Sequence, residues 1–495
     1  MKKWFLIFLC LSSVVQANCT IYFKNQILKK KMADPLFLLL SNTSSCPGSI
    51  QDLKQIMQRN GLQEHISLVA NRGRNNPVQG SFSFFESVSG VLSSGQLIKK
   101  GDFFIGYFTG LDSGTIILDQ QPEDNKLLIE IIAWDKQKSL YNFYELRGLE
   151  GDATRWFYRG DSTDAYKDNT WLYRNNPENE PHFGNRMRCS ACHNSGGPIL
   201  KEQSYPHNDW WTTKRPLIFA PNTPDVETLA LLEQLIDVDQ FAKEVKTGAH
   251  RLAKSKKMNH FHKQLTLQEQ LRPLFCTTEI NLESSLDSPD NRVHIPSSFW
   301  LNPLLGHLNL TLSARDYNQL LEDFDMHFPE TGLRDADHRW HTPVKGRADI
   351  KAIQDLIKRK KISKNFAQAV LMIDFAHPLF SSQRCELLQL LPEGRPKEWS
   401  SQFLINLEQK GTVMMSAKLL AEYLKNKKYD NSEFMRIVEE YKQVLAQQLS
   451  SYSGLKLSYQ RLIDLRQGVY QSELSQNPKG QILEPGFRVI FPEMG

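Results

Sequence analysis

Apolar residues follow two different periods along the chain. Between about residues 80 and 160, short runs rich in Phe, Tyr, Ile and Trp are broken by Gly, Asp and Asn. The runs are SFSFFESV, DFFIGYFTG, GTIILDQ, KLLIEIIAW, SLYNFYEL and RWFYRG. Runs of this kind, with turns between them and no intervening crossover helices, predict an antiparallel sheet or a small barrel.

Helical spacing prevails from about residue 224 onward. It is clearest in NSEFMRIVEEYKQVLAQQL, residues 431–449, where Asn431 is the predicted N-cap. The predicted apolar stripe of this helix consists of Phe434, Met435, Ile437, Val438, Tyr441, Val444 and Leu445. ARDYNQLLEDF, NFAQAVLMIDF and SAKLLAEYLKNKKY show similar spacing, and SIQDLKQIMQRNGL predicts an earlier helix that ends at Gly61. The fold class is therefore α+β, with an N-terminal antiparallel β-rich domain and a C-terminal, mostly α-helical region.

The chain begins MKKWFLIFLCLSSVVQANC, which has the pattern of a secretory leader. Lys2 and Lys3 precede an apolar run that is short for a membrane span, and small residues favour cleavage after Ala17. The alternative is an uncleaved membrane anchor. We expect an exported, soluble, periplasmic protein of a bacterium, with no membrane span after cleavage. The formal net charge of +5 falls to +3 with the two leader lysines, which argues against a nucleic-acid-binding protein.

Cysteine usage fits an oxidising compartment. Of the 7 cysteines, one leaves with the leader, and the others are Cys19, Cys46, Cys189, Cys192, Cys276 and Cys385. If Cys189 and Cys192 serve another purpose, the most economical disulfides are Cys19–Cys46 and Cys276–Cys385. Sequence alone leaves this pairing a hypothesis.

The segment RMRCSACHNSGGPIL, residues 186–200, carries the most specific chemical signal. Two thiols three residues apart can reach the two vinyl groups of one haem, and the histidine that follows directly can then bind the iron. Three alternatives compete. They are a redox-active dithiol, a zinc site completed by His182 or His207, and a plain disulfide between Cys189 and Cys192.

In Cys189-Ser190-Ala191-Cys192-His193, and more weakly in the Asn-Ser-Gly-Gly-Pro that follows, the chain resembles the c-type cytochromes. The resemblance covers about 20 of the 495 residues. It implies one covalent haem c, with Cys189 and Cys192 as the thioether residues and His193 as the proximal iron ligand. It also implies a backbone carbonyl that fixes the His193 ring, with Pro198 and Pro206 as the candidates.

The distal side of the iron decides between functions, and the sequence offers several ligands for it. Met258, in KSKKMNHFHKQ, and His207, in SYPHNDWW, are the leading candidates. His260 and His262 are further candidates, and an open iron is the remaining alternative. Trp210 is one of several aromatic residues near the motif that either cover the haem edge or form a small separate core.

The expected order of segments is a signal peptide (1–17), a small mixed N-terminal segment (18–75), an antiparallel β domain (76–164), a haem-binding cytochrome c-like region (165–270) and a helical C-terminal region (271–495). The leading hypothesis is electron transfer with periplasmic redox proteins as partners. The first alternative is a haem-dependent oxidoreductase, such as a peroxidase-like enzyme with an open distal iron site. The second is a haem-based sensor or binding module. Whether the chain is an enzyme and which oligomer it forms stay open at this point.

Overall fold

The computed structural model describes most of the chain between Cys19 and Asp464. The described residues are 19–23, 26–69, 82–109, 126–149, 153–167, 193, 195–198, 210–211, 213, 230–278, 280–283, 286–287, 291–324, 327–328, 333–334, 342–394, 398–426, 428–462 and 464. Within these ranges, no helix has the length and apolar character needed to cross a bilayer.

One large sheet occupies the N-terminal part of the chain. Its strands are β1 (Ile21–Phe23), β2 (Gln26–Ile27), β3 (Gln63–Val69), β4 (Phe82–Val91), β5 (Leu97–Thr109), β6 (Lys126–Asp135), β7 (Leu140–Gly148) and β8 (Thr154–Asp161). The order across the sheet is β2-β1-β8-β7-β6-β5-β4-β3. Neighbouring strands are antiparallel except β1 and β8, which run parallel. Five of the six predicted strand runs are confirmed, and GTIILDQ lies outside the described residues.

Helices precede the large sheet's long strands and dominate the second half of the chain. They are α1 (Pro35–Ser41), α2 (Ile50–Arg59), α3 (Ser162–Lys167), α4 (Val238–Ala253), α5 (Lys256–Gln264), α6 (Leu267–Phe275), α7 (Ala314–Phe324), α8 (Arg347–Lys358), α9 (Lys364–Met372), α10 (Ser382–Glu386), α11 (Trp399–Lys410), α12 (Met415–Lys425) and α13 (Asn431–Leu449). The fold thus combines an N-terminal sheet with C-terminal helices, which agrees in general with the predicted α+β class.

Both faces of the large sheet are covered, because side chains alternate between the faces along each strand. The first face buries Phe84, Ile105, Ile131 and Tyr144 against α1 and α2 in one apolar cluster. The second face buries two smaller clusters against α3, α4 and α5. Strand β7 is buried at all nine positions because it lies between these two layers.

A separate core holds the C-terminal part together. It gathers apolar side chains from α6 to α13 and from residues 455–462 around Trp300, Tyr317 and Phe403. The same part of the chain contains short strands. They are β9 (Ile280–Glu283), β10 (Leu286–Asp287), β11 (Arg292–Ile295), β12 (Leu310–Ser313), β13 (His327–Phe328), β14 (Leu333–Arg334) and β15 (Thr342–Lys345). They pair as β10-β11-β12, β9-β15 and β13-β14.

Among the described residues there are two disulfides, and they are the two pairs that the sequence made the most economical. Cys19 bonds Cys46 across 27 residues, and Cys276 bonds Cys385 across 109 residues. Each closes a loop within its own part of the chain, so each restricts the unfolded chain locally.

The predicted helices are confirmed, with corrections in α13. Asp430, rather than Asn431, is the N-cap, because its carboxylate accepts hydrogen bonds from the amides of Ser432 and Glu433. Asn431 is the first helical residue. Val444 does not join the buried stripe, since it is 63% exposed whereas Val438 and Leu445 are buried.

Candidate functional site

The histidine of the CxxCH motif lies against the second face of the large sheet. Its ring centroid is 5.6 Å from that of Phe143, a fully buried residue of β7. Cys189 and Cys192, the predicted thioether residues, and His207, a predicted distal ligand, lie outside the described residues. The geometry of the site therefore comes from His193, from residues 195–198 and from the elements that they touch.

A backbone carbonyl orients the His193 ring. The Nδ1 atom lies 3.0 Å from the carbonyl oxygen of Gly197. A carbonyl oxygen only accepts hydrogen bonds, so Nδ1 carries the proton and donates it. The acceptor is the residue just before Pro198, where the sequence had suggested Pro198 or Pro206 themselves. In neutral His193 this tautomer places the lone pair on Nε2.

Two glycines after the histidine allow the backbone to lie close to the sheet. Gly196 has φ +83°, and a Cβ atom placed on it would lie 2.4 Å from the carbonyl oxygen of Ser162 at the start of α3. A Cβ on Gly197 would lie 2.6 Å from a methyl group of Leu252 in α4. The Ser-Gly-Gly-Pro sequence therefore permits a close contact of loop, strand and helix that any larger residue would disturb.

Helix α4 packs equally closely on the other side of this loop. A Cβ on Gly248 would lie 2.6 Å from the hydroxyl oxygen of Tyr141 and 3.1 Å from Cγ of Pro198. The Tyr141 hydroxyl donates to the carbonyl oxygen of Gly101 at 2.5 Å, and burial raises the pKa of this phenol. Tyr141 thus remains a neutral donor, and its hydrogen bond connects β7 to β5 at Gly101.

Ion pairs fasten α4 to the sheet. Glu244, which is buried, accepts from Nζ of Lys100 at 2.9 Å and lies 2.8 Å from Nδ1 of His65. About two turns further along, Arg251 pairs with the buried carboxylate of Asp102. Because a buried carboxylate is costly without a partner, these contacts fix the position of α4 along β3 and β5.

Met258 lies in α5, in the same apolar cluster as Tyr141, Phe143 and Leu252. It is 4% exposed, and one member of its cluster, Phe143, lies beside the His193 ring. The structure therefore brings this predicted distal ligand into the neighbourhood of the motif. It equally fits the alternative that Met258 fills the core.

The two other histidines weighed as distal ligands have different surroundings. His260 is exposed, and its Nε2 atom lies 3.0 Å from Nε2 of Gln264. His262 packs against Tyr166 with ring centroids 4.9 Å apart and the rings tilted by 43°. Burial, with a contribution from Arg359, lowers the pKa of His262, and its Nε2 atom has no hydrogen-bond partner among the described residues. His262 is thus a neutral imidazole with a free nitrogen one turn beyond Met258.

Trp210 belongs to a small core on the second face. It packs against Phe85 and Phe241, with centroids 5.2 and 5.6 Å away, and is 4% exposed. Of the two interpretations of this residue, the structure supports packing against the sheet.

A buried charge cluster on the second face was missed by the sequence reasoning. Glu145 accepts from Nε of Arg159 at 3.0 Å and lies 4.0 Å from Nε of Arg147, which is fully buried. Glu130 lies directly opposite Glu145 on β6. The alternation in SLYNFYEL and RWFYRG already places Glu145 and Arg159 on one face, so period two was the available signal.

No group of three or more His, Cys, Asp or Glu side chains able to hold a metal ion occurs in the part of the chain that the structure describes. Comparison with models of protein families, with curated proteins and with solved structures found no match to this chain.

Proposed function

We propose that this chain is an exported c-type cytochrome that binds one covalent haem through Cys189, Cys192 and His193 and carries electrons between periplasmic redox proteins. The observation that carries the proposal is the hydrogen bond from His193 Nδ1 to the Gly197 carbonyl. A histidine that ligates iron through one ring nitrogen is usually held in place by a hydrogen bond from the other, and the His193 ring is held in this way. The haem, when bound, supplies one-electron chemistry at iron.

The residues of this chain have three tasks in such a protein. Gly197 orients the His193 ring and increases the basicity of its other nitrogen by accepting a hydrogen bond from Nδ1. Phe143 and its cluster provide an apolar wall that excludes water beside the ring. Gly196 and Gly248 let the loop and α4 approach the sheet closely enough to close that wall.

Export is supported by two independent features. The N-terminal residues have the charge and apolar pattern of a leader. The Cys19–Cys46 and Cys276–Cys385 disulfides are of the kind that persists in oxidising compartments. Covalent haem attachment of this type also takes place outside the bacterial cytoplasm.

A haem-dependent oxidoreductase is the second candidate function, and His262 is the observation that favours it. An enzyme with an open iron needs a nearby base that is unprotonated at neutral pH. The lowered pKa of His262 and its free Nε2 atom meet this chemical requirement. Electron transfer instead requires a sixth ligand, for which the buried Met258 is the leading candidate.

The test is export of the full chain in a host that matures c-type cytochromes, followed by intact-mass analysis after acid–acetone extraction. We expect a mass gain of one haem that is lost in the double variant Cys189→Ala, Cys192→Ala. The matched control is Cys276→Ser with Cys385→Ser, which removes the same number of cysteine residues, here from the C-terminal disulfide, and should keep the haem. An unmodified mass in the wild-type chain would refute the proposal and return the motif to zinc, disulfide or dithiol chemistry.

A further inference from the structure

The turn between α11 and α12 exposes the most solvent-accessible large apolar side chains of the described residues. Val413 is 78% exposed and Met415 is 74% exposed. They lie within residues 411–415, which we name the 411–415 turn. A pair of neighbouring exposed apolar residues at one turn is unusual, because single surface apolar residues are common but clustered ones mark contact sites.

The two helices form a tight antiparallel hairpin, so this turn lies at its end. A Cβ on Gly411 would lie 3.1 Å from Cα of Lys418, and further along the hairpin Glu408 pairs with Lys425. Phe403 and Leu407 of α11 and Leu420 of α12 are buried in the C-terminal core. The body of the hairpin is therefore anchored while its turn faces outward.

Backbone hydrogen bonds hold the turn in one conformation. The amides of Val413 and Met414 both donate to the carbonyl oxygen of Lys410, at 3.0 and 2.9 Å, and the amide of Lys418 donates to Met414 at 3.1 Å. Met414 itself packs against the core. The exposed side chains are thus presented by an ordered backbone, which lowers the entropic cost of inserting them into a partner.

The charges beside the turn are positive. Lys410 and Lys418 flank it, and neither forms an ion pair with any residue that the structure describes. The nearest carboxylate along α11, that of Glu408, is neutralised by Lys425. Apolar residues at a projecting turn with free cations on both sides match the surface of an anionic bilayer, where lysines meet headgroups and apolar side chains reach the acyl boundary.

We propose that the 411–415 turn docks the protein onto an anionic phospholipid surface, with Val413 and Met415 inserted and Lys410 and Lys418 at the headgroups. A bilayer yields around a projecting turn, whereas a protein partner must supply a matching pocket. The proposal is independent of the haem, since every residue in it belongs to the helical part of the chain.

The test is co-sedimentation of the full chain with vesicles, either of phosphatidylcholine alone or of an equimolar mixture with phosphatidylglycerol. We expect binding to the mixed vesicles that falls as salt rises. Val413→Ser with Met415→Ser should weaken it about tenfold or more. Lys410→Gln with Lys418→Gln should weaken it about 30-fold and remove the preference for phosphatidylglycerol.

The matched control is Val444→Ser with Leu457→Ser, which removes two apolar side chains that are 63% and 65% exposed elsewhere on the helical part. This variant should bind like the wild type. Failure of the wild type to bind mixed vesicles would overturn the proposal, as would a turn variant that binds unchanged. Lipid-free self-association that depends on Val413 and Met415 would also overturn it, because a second copy would then be the partner of the turn.

Discussion

Replacing Gly196 by alanine should lower the free energy of unfolding in two ways, through a strained backbone conformation and through a steric contact with α3. Gly196 has φ +83°, and the new Cβ would lie 2.4 Å from the Ser162 carbonyl oxygen. The left-handed conformation costs an L-residue about 1–2 kcal/mol. Overpacking against backbone that must shift adds about 1–3 kcal/mol. We therefore expect a total loss of about 2–5 kcal/mol in the free energy of unfolding.

Gly95 supplies a matched control for this substitution. Its φ is +81°, almost the same, but a Cβ placed there meets nothing within 4 Å. Gly95→Ala should therefore show only the conformational cost of about 1–2 kcal/mol. Urea unfolding followed by tryptophan fluorescence measures both variants, and it does so whether or not haem is attached.

The difference between the two variants is the decisive quantity. Because the Gly196 loop carries the carbonyl that orients His193, Gly196→Ala should also reduce the fraction of chains that acquire covalent haem, and Gly95→Ala should not. Equal losses of stability in the two variants would refute the contact between the loop and α3. A larger loss with unchanged haem content would keep the contact and separate it from the proposed function.

Three further predictions concern stability and ligation. Burial raises the pKa of the Asp34 carboxyl from 3.8 to about 6. Protonation of Asp34 therefore stabilises the folded state by about 3 kcal/mol. This stabilisation is complete below about pH 4 and is lost as the pH rises through 6. Urea titrations at both ends of this range should show that gain in the wild type relative to Asp34→Asn, and parallel pH profiles would contradict it. Asp430→Ala should cost about 1 kcal/mol through loss of the N-cap, as thermal unfolding can show. Met258→Leu conserves volume and should cost less than about 1.5 kcal/mol; if Met258 binds the iron, the ferrous spectrum of this variant alone should shift with carbon monoxide.

Local pattern was enough to predict the long strands β4 to β8 and five of the helices that the structure describes. Alternation in SFSFFESV and SLYNFYEL located β4 and β7, and helical spacing located α2 and α13, because the period of apolar residues reports which positions face a core. The parallel pairing of β1 with β8 was not predictable in this way. It joins residues more than a hundred positions apart, and a three-residue strand carries no periodic signal of its own.

The features of the candidate site likewise fall into those that the sequence predicted and those that only the folded structure showed. The spacing of Cys189, Cys192 and His193 is a property of five consecutive residues, so the sequence by itself determined which chemistry to expect. The pairing of the other four cysteines was a hypothesis of economy, and the structure confirmed it. Only the tertiary structure decided that Gly197 orients His193 and that Phe143 lies beside it.

The physical reason is the range of the interactions. Hydrophobic period, capping chemistry and motif spacing act over a few residues and can be read along the chain. The close approach of Gly196 to Ser162, the burial of Met258 with Phe143 and the exposure of Val444 depend on which surfaces meet in three dimensions. Those contacts are set by packing between distant segments, and so they became visible only in the folded molecule.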